Sequence, residues 1–479
     1  MRVCFVYPDV EGAHRYGAKK FYHGIGYLSS VLKEKGHHTS LVYAQQEPTK
    51  ERFLAEVLGN HADLVGFSST TNQFSYVRAW ASWLKEAAPE IHTICGGVHP
   101  TLVPETVIAE PGIDTVCVGE GEYPLLELAE SLQAGQRPVQ IANLWLKRDG
   151  TIIRNPLRPL IQDLDQLPFA DRELFGLSDI LKANDGWLDI MAGRGCPYDC
   201  SYCCNPSLKQ TFRGKGKYVR FRTVPNLLAE IDHLSRTYTY HTLNFQDDVF
   251  TLDHRWTLEF CRAYRASFDT PFWINARVER ILEENVVRAL AGAGCKGVRI
   301  GVESGNERIR EELLSRKISD ASITRAFGLF KKHHLQTYTC NMLGLPDENL
   351  EMIQQTIALN RRLSPASLQF SVFYPYPMTR LHDLAVAKGY FKPANDGLPS
   401  YYGDTSLLST PSLSAEGLAK GYQAFVELQR ELALKQHSLL RYALYTVLRL
   451  LYRNDTVLLG KHLRRLGRIM EWAMRICYT

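Results

Sequence analysis

The chain has 479 residues, 45% of them hydrophobic, with 56 basic against 51 acidic side chains for a formal charge of +5. That length suits two or three domains, and the composition excludes a disordered or fibrous protein. The charge is not spread evenly: residues 437–479 carry a net charge of +6 and the rest is near −1, so no basic nucleic-acid groove runs along the body.

From the N-terminus to about residue 135, short apolar runs alternate with helical patterns. The runs are Val3 to Tyr7, Thr39 to Tyr43, Asp63 to Phe67, His92 to Cys95 and Thr115 to Val118; Gly26 to Lys35 and Phe74 to Ala88 read as helices between them. This alternation predicts a parallel, doubly wound α/β sheet, in which ligands bind beyond the strand C-termini. Small and hydroxyl residues stand there: Ser68, Ser69, Thr70 and Thr71, then Gly96, Gly97, Val98, His99, Pro100 and Thr101, then Gly119, Glu120, Gly121 and Glu122. Such residues let a backbone approach a bulky ligand, although they are also ordinary turn residues. Residues 136–185 read as a connecting stretch with a small hairpin at Asp149-Gly150.

A second alternation begins at about residue 186 and runs to about 400. Its candidate strands are Trp187 to Ala192, Thr242 to Gln246, Pro271 to Asn275, Gly297 to Val302, Thr337 to Leu343 and Ser367 to Phe373. Six strands with intervening helices predict a partial β/α barrel with its site at the strand C-terminal ends. After the first of them comes Gly195-Cys196-Pro197-Tyr198-Asp199-Cys200-Ser201-Tyr202-Cys203, three cysteines spaced by three and then two residues. One short loop with three thiolates fits three irons of a cubane cluster and leaves the fourth iron open. A zinc site with Cys204 as fourth ligand is an alternative, weakened because adjacent residues seldom point at one small ion. Eleven cysteines, an odd number, and no apolar leader at Met1-Arg2-Val3 argue for reduced cytoplasmic thiols rather than disulfides.

The cluster loop, with aromatic Tyr202 before its third cysteine, resembles the CxxxCxxC signature of the radical S-adenosylmethionine (SAM) superfamily. With the Rossmann-like domain ahead of it, residues 1 to about 400 resemble the cobalamin-dependent radical SAM family. The resemblance implies a 4Fe–4S cluster on Cys196, Cys200 and Cys203, SAM chelated to the open iron, and cobalamin on the first domain near Ser68, Ser69, Thr70, Gly96, Gly97, His99, Gly119 and Gly121. It also implies SAM contacts from Tyr202, Asp247, Asn275 and Glu303, with Leu343 and Gly344 as adenine surface. The Asp-x-His-x-x-Gly motif that ligates cobalt elsewhere is absent, as in many radical SAM relatives, and His99 reads as a turn residue.

The activity implied is C-methylation of an unactivated carbon. One SAM methylates cob(I)alamin, a second yields a 5'-deoxyadenosyl radical that abstracts hydrogen, and methylcobalamin supplies the methyl. Oxidative cyclisation with the same cofactors is the alternative, as in the anaerobic magnesium-protoporphyrin ester cyclase; a noncatalytic iron–sulfur or cobalamin sensor is a third reading. A methylthiotransferase would need a second cluster, for which only Cys4, Cys95 and Cys117 are candidates, and these lie in expected core strands. The partners implied are an organic substrate of unknown identity, large or lipid-like on one reading, and an electron donor such as flavodoxin or ferredoxin; no nucleic acid is expected.

Residues 401–479 read as a helical basic region, with Leu440, Leu444, Val447, Leu448 and Leu451 at helical spacing among arginines. A cap packed on the barrel with a solvated basic face explains them; a surface meeting anionic lipid is the sharper reading, given Trp472 and Tyr478.

Overall fold

The computed structural model describes residues 1–10, 19–136, 138–391 and 404–437. The basic segment expected to form a cap or lipid-facing surface, residues 438–479 with Trp472 and Tyr478, lies outside them. Among the described residues, no helix is long and apolar enough to cross a membrane.

The first sheet comprises β1 (Arg2–Pro8), β2 (His38–Ala44), β3 (Leu64–Ser68), β4 (His92–Gly96), β5 (Thr115–Cys117), β6 (Leu144–Arg148) and β7 (Thr151–Arg154), in the order β2-β1-β3-β4-β5-β6-β7. Strands β1 to β5 are parallel, and the central ones are near-continuous apolar runs because helices cover both faces. The hairpin at Asp149-Gly150, expected within a connecting stretch, extends this sheet: β6 pairs antiparallel with β5, and β7 with β6. The order reverses between β1 and β3, which creates a crevice beyond their C-terminal ends.

The second sheet holds β8 (Trp187–Ile190), β11 (Thr242–Phe245), β12 (Phe272–Ala276), β13 (Cys295–Glu303), β14 (Gln336–Leu343) and β15 (Ser367–Val372), all parallel in the order β15-β14-β13-β12-β11-β8. Two short strands, β9 (Gly193–Arg194) and β10 (Arg220–Phe221), pair beside it. Strands β8, β12, β14 and β15 alternate between buried and half-buried or exposed residues. In β14, Thr337, Thr339, Asn341 and Leu343 are buried toward the helices, whereas Tyr338, Cys340 and Met342 face the half-open interior. The helix Ala415–His437 lies on the outside of β14 and β15, burying Leu418, Phe425, Leu428 and Leu432 in one cluster with Leu343 and Phe370.

Candidate functional site

The cysteine loop leaves β9 through Gly195, whose φ of +89° and close approach to the Tyr218 carbonyl leave no room for a Cβ. It is tied down on the barrel side by Ser201, whose N–H donates to the Leu314 carbonyl at 3.2 Å and whose carbonyl accepts from the Leu381 N–H at 3.0 Å. Cys196 and Cys200 are buried and Cys203 half-buried. Their sulfurs meet donors: Arg277 Nη1 donates to Cys200 Sγ at 3.0 Å, and the Asn205 N–H and Nδ2 donate to Cys203 Sγ at 3.4 and 3.5 Å. Burial pushes the Cys196 thiol up to about 11, whereas the hydrogen bond from Cys204 holds Cys203 down at about 6. The Cys204 sulfur is thus engaged with its neighbour. Among the described residues no three His, Cys, Asp or Glu side chains converge to hold a single metal ion; a cubane asks less, since each thiolate meets its own iron and the sulfurs stand apart. A loop of three cysteines with cationic and amide donors on its sulfurs fits such a cluster.

Around this loop lies a network that the sequence pattern does not reveal. Tyr202 donates its hydroxyl proton to Glu303 Oε1 at 3.0 Å, and Arg316 Nη1 donates to the Tyr202 oxygen at 3.1 Å and stands 3.7 Å from the same carboxylate. Glu303 ends β13 at a bulge with φ of +65°, a strained conformation for a non-glycine residue, and a Cβ at Gly301 would collide with its carboxylate. Burial raises its pKa, with Arg316 pulling the other way. Arg277 lies over the Tyr198 ring, 3.8 Å from its centroid, and its second arm pairs with Glu279 at 2.7 Å.

The other residues expected at SAM are placed as follows. Asp247 is buried, and its carboxylate accepts the N–H groups of Ala192 (3.0 and 3.2 Å) and Gly193 (2.6 Å); burial raises its pKa to about 7 against those bonds. Both oxygens are therefore committed to holding the exit of β8. Asp248 is exposed in the cleft and accepts one bond, from Asn205 Nδ2 at 3.2 Å. Asn275, on the inner face, donates to the Asp247 carbonyl at 2.9 Å. The Leu343 side chain is not adenine surface: strand alternation turns it outward into the core, and the inward residue there is Met342, packed near Tyr202. Gly344 follows at φ of +74°, its N–H donating to Glu348 Oε2 at 2.7 Å, as does that of Leu345 at 3.2 Å.

Glu348 is fully buried, its Oε1 without a hydrogen-bond partner among the described residues, and burial raises its pKa to about 8. A carboxyl raised in the fold stabilises fully below its ordinary range near 4.5, and that contribution is lost as pH rises through about 8. Glu348→Gln, which keeps the accepting oxygen and does not ionise, is expected to gain stability relative to the parent between pH 5 and 9; parallel denaturant-unfolding curves for the two proteins across that range would refute the assignment.

Beyond the switch point of the first sheet is a cavity of about 960 Å³, its open mouth included. Glycines at 24, 66, 96, 97, 119 and 121 line it, with Ser68 and apolar Phe5, Tyr27, Leu28 and Leu125; Met191 and Arg194 of the barrel side complete the wall. Gly97 and Gly119 adopt φ of +104° and +99°, and a Cβ at Gly97 would stand 2.7 Å from the Ser69 carbonyl. Among the described residues, a Cβ at Gly96 would meet only Cys117, at 3.6 Å, so the missing side chain there keeps space open. Ser69, Thr70 and His99 sit beside the cavity rather than in its wall: Ser69 is buried against Gly96, Thr70 caps the turn through Gln73, and His99 packs on Phe74 with its ring centroid 4.5 Å away. Burial lowers the His99 pKa to about 4. Cys4 and Cys95 belong to one face of the sheet and Cys117 to the other, as core side chains. A slot of this size, with small residues at several strand ends and apolar walls, fits a bulky planar cofactor.

Comparison with known proteins gives two family matches, the B12 binding domain over residues 21–129 and the radical SAM superfamily over residues 190–359. The chain is 29% identical over 392 residues to PH0819 of Pyrococcus horikoshii, described as an uncharacterized methyltransferase, spanning 81% of this chain and 83% of that one. It is 23% identical over 394 residues to the anaerobic magnesium-protoporphyrin IX monomethyl ester cyclase of Rubrivivax gelatinosus, spanning 80% and 69%. In fold it is similar to the radical SAM methyltransferase TsrM from Kitasatospora setae, solved with cobalamin and a 4Fe–4S cluster bound, with a TM-score of 0.66 at 18% identity over 87% of this chain and 84% of that one.

Proposed function

Because the chain belongs to the cobalamin-dependent radical SAM enzymes, we propose that it is a methyltransferase that places a methyl group on an unactivated carbon of an organic substrate. The observation that carries this reading is the position of the glycine-lined cavity, which shares Met191 and Arg194 with the approach to the cysteine loop, so that a ligand in the cavity lies against the barrel mouth. When bound, the cluster and SAM supply a 5'-deoxyadenosyl radical and the corrinoid supplies the methyl group.

The protein's own residues then have separable tasks. Cys196, Cys200 and Cys203 would hold the cluster, while Arg277 and Asn205, which donate to the Cys200 and Cys203 sulfurs, would favour its reduced state by offsetting added negative charge. Asp248, the carboxylate of its pair that is open to the cleft, receives the SAM ammonium; Asp247 acts behind it by fixing the loop. Glu303, held by Tyr202 and Arg316, and Asn275 present oxygens toward the ribose. Gly96, Gly97, Gly119 and Gly121 keep the corrinoid slot open, with Ser68 in its wall. A one-electron carrier such as flavodoxin or ferredoxin delivers the electron. A second reading, another radical reaction with the same cofactors, draws on the likeness to the ester cyclase.

Anaerobic reconstitution with iron, sulfide and hydroxocobalamin, desalting, and addition of SAM and dithionite tests the proposal. Retained corrinoid together with 5'-deoxyadenosine and S-adenosylhomocysteine is expected. Formation of 5'-deoxyadenosine without retained corrinoid would overturn the cobalamin assignment, and 5'-deoxyadenosine with retained corrinoid but no S-adenosylhomocysteine would favour the second reading.

A further inference from the structure

The Gly119–Glu122 turn of the first sheet and the residue that opens the cysteine loop are joined by a buried ionic clasp. Arg194 Nη1 donates to Glu120 Oε1 at 2.9 Å and Nη2 to Glu122 Oε1 at 2.6 Å. Glu120 is shared: Arg220 Nη1 reaches its two oxygens at 2.9 and 3.0 Å, and the Ile161 N–H donates to it at 2.8 Å. Little of this is open to water, with side-chain exposures of 19% for Arg194, 15% for Glu120 and 6% for Glu122. The Arg194 guanidinium also lies over the Tyr27 ring, 5.1 Å from its centroid.

Two features make this more than adhesion between domains. Glu120, Glu122 and Arg194 are themselves part of the cavity wall. On the other side, only Gly195 separates Arg194 from Cys196, and that stretch is stiff: the Gly193 N–H is held by Asp247 at 2.6 Å, β9 is paired with β10, and Gly195 is pressed on the Tyr218 carbonyl. Burying charges is costly, and apolar contacts would hold the domains together at less expense. What a forked guanidinium between two carboxylates adds is direction, since its two arms fix orientation as well as distance.

We infer that Arg194 is a positioning residue, whose clasp with Glu120 and Glu122 sets the placement of the cluster loop relative to the ligand in the cavity. The inference rests on the reading that this ligand is the corrinoid. Radical transfer demands such control, because a misplacement of about 1 Å can cost about 100-fold in rate.

The test uses the full chain loaded with cluster and corrinoid and poised so that the reduced cluster and cob(II)alamin coexist, both being paramagnetic. Iron, sulfide and corrinoid content are measured first, then the magnetic interaction between the two centres by pulsed electron paramagnetic resonance. Arg194→Gln and Glu122→Gln are expected to load both cofactors but to replace the single dipolar splitting of the parent by a broad distribution. Arg194→Lys, which keeps the charge without the fork, is expected to fall between, and it carries the test where Arg194→Gln fails to load. An unchanged splitting in loaded Arg194→Lys and Glu122→Gln overturns the inference alone; a parent protein that retains no corrinoid overturns both it and the proposed function.

Discussion

Cys200→Ala is expected to abolish both the iron–sulfur chromophore and 5'-deoxyadenosine formation, and to weaken the fold even in the metal-free protein. The first effect is common to all three cysteines, because among the described residues a cubane that has lost one of three protein thiolates has no other cysteine placed to replace it: Cys204 is hydrogen-bonded to Cys203. The second is particular to Cys200. Its sulfur accepts from Arg277 at 3.0 Å and lies 3.9 Å from Arg316, and both guanidinium groups are buried. Removing the sulfur leaves an unsatisfied buried donor, worth about 1–3 kcal/mol. Cys203→Ala removes the partner of Asn205 and of the Cys204 thiol, but Asn205 keeps its bonds to Asp248 and Tyr218 and no buried guanidinium loses its acceptor, so the change should cost less. Denaturant unfolding of the apo proteins separates the two; equal stability of the Cys200 and Cys203 variants would contradict the geometry. Cys204→Ala should retain the cluster, which a zinc site using all four cysteines would not allow.

The contrast between what the sequence does and does not reveal follows the same line. The barrel strands are legible because inward and outward residues alternate, and the central strands of the first sheet because apolar residues fill both faces. The cysteine loop is legible because its chemistry lies within eight residues. Side-chain pairings across the chain are not. Arg194 lies 74 residues from Glu120, and Arg316 lies 114 residues from Tyr202. In the sequence, Glu120 and Glu122 therefore look like turn residues between glycines, and Arg316 like one more surface cation. The same limit explains Asp247 and Asp248: both follow a strand, and only the fold shows that the first is occupied by the amides of Ala192 and Gly193 while the second is open. The turn of Leu343 away from the interior is a matter of strand phase, which the run Asn341 to Leu345 cannot fix without knowing which face is inside.

Gly96→Leu is expected to separate the two cofactor functions. Gly96 ends β4 in the cavity wall with no φ that forbids a side chain, and among the described residues a Cβ there meets only Cys117, at ordinary contact distance, so the backbone should accept the change. The added isobutyl group must project into the cavity, where it excludes a bulky planar ligand while burying apolar surface of its own. Gly97 and Gly119 would not serve the same purpose, because their positive φ angles make any substitution a strain on the fold as well as on the site. The residues proposed to hold the cluster and SAM lie on the second sheet, the β9–β10 pair and their loops, not on the strand that carries Gly96. The expected result is therefore a folded protein with unchanged iron and sulfide content that still cleaves SAM to 5'-deoxyadenosine, binds hydroxocobalamin at least about 100-fold more weakly, a loss of about 2.7 kcal/mol, and forms no S-adenosylhomocysteine. Corrinoid retained after desalting at the parent level would show that the cofactor lies elsewhere than in this cavity. Loss of SAM cleavage alongside loss of corrinoid would instead show that a filled cavity is needed to set the cluster loop, the coupling that Arg194 is placed to carry.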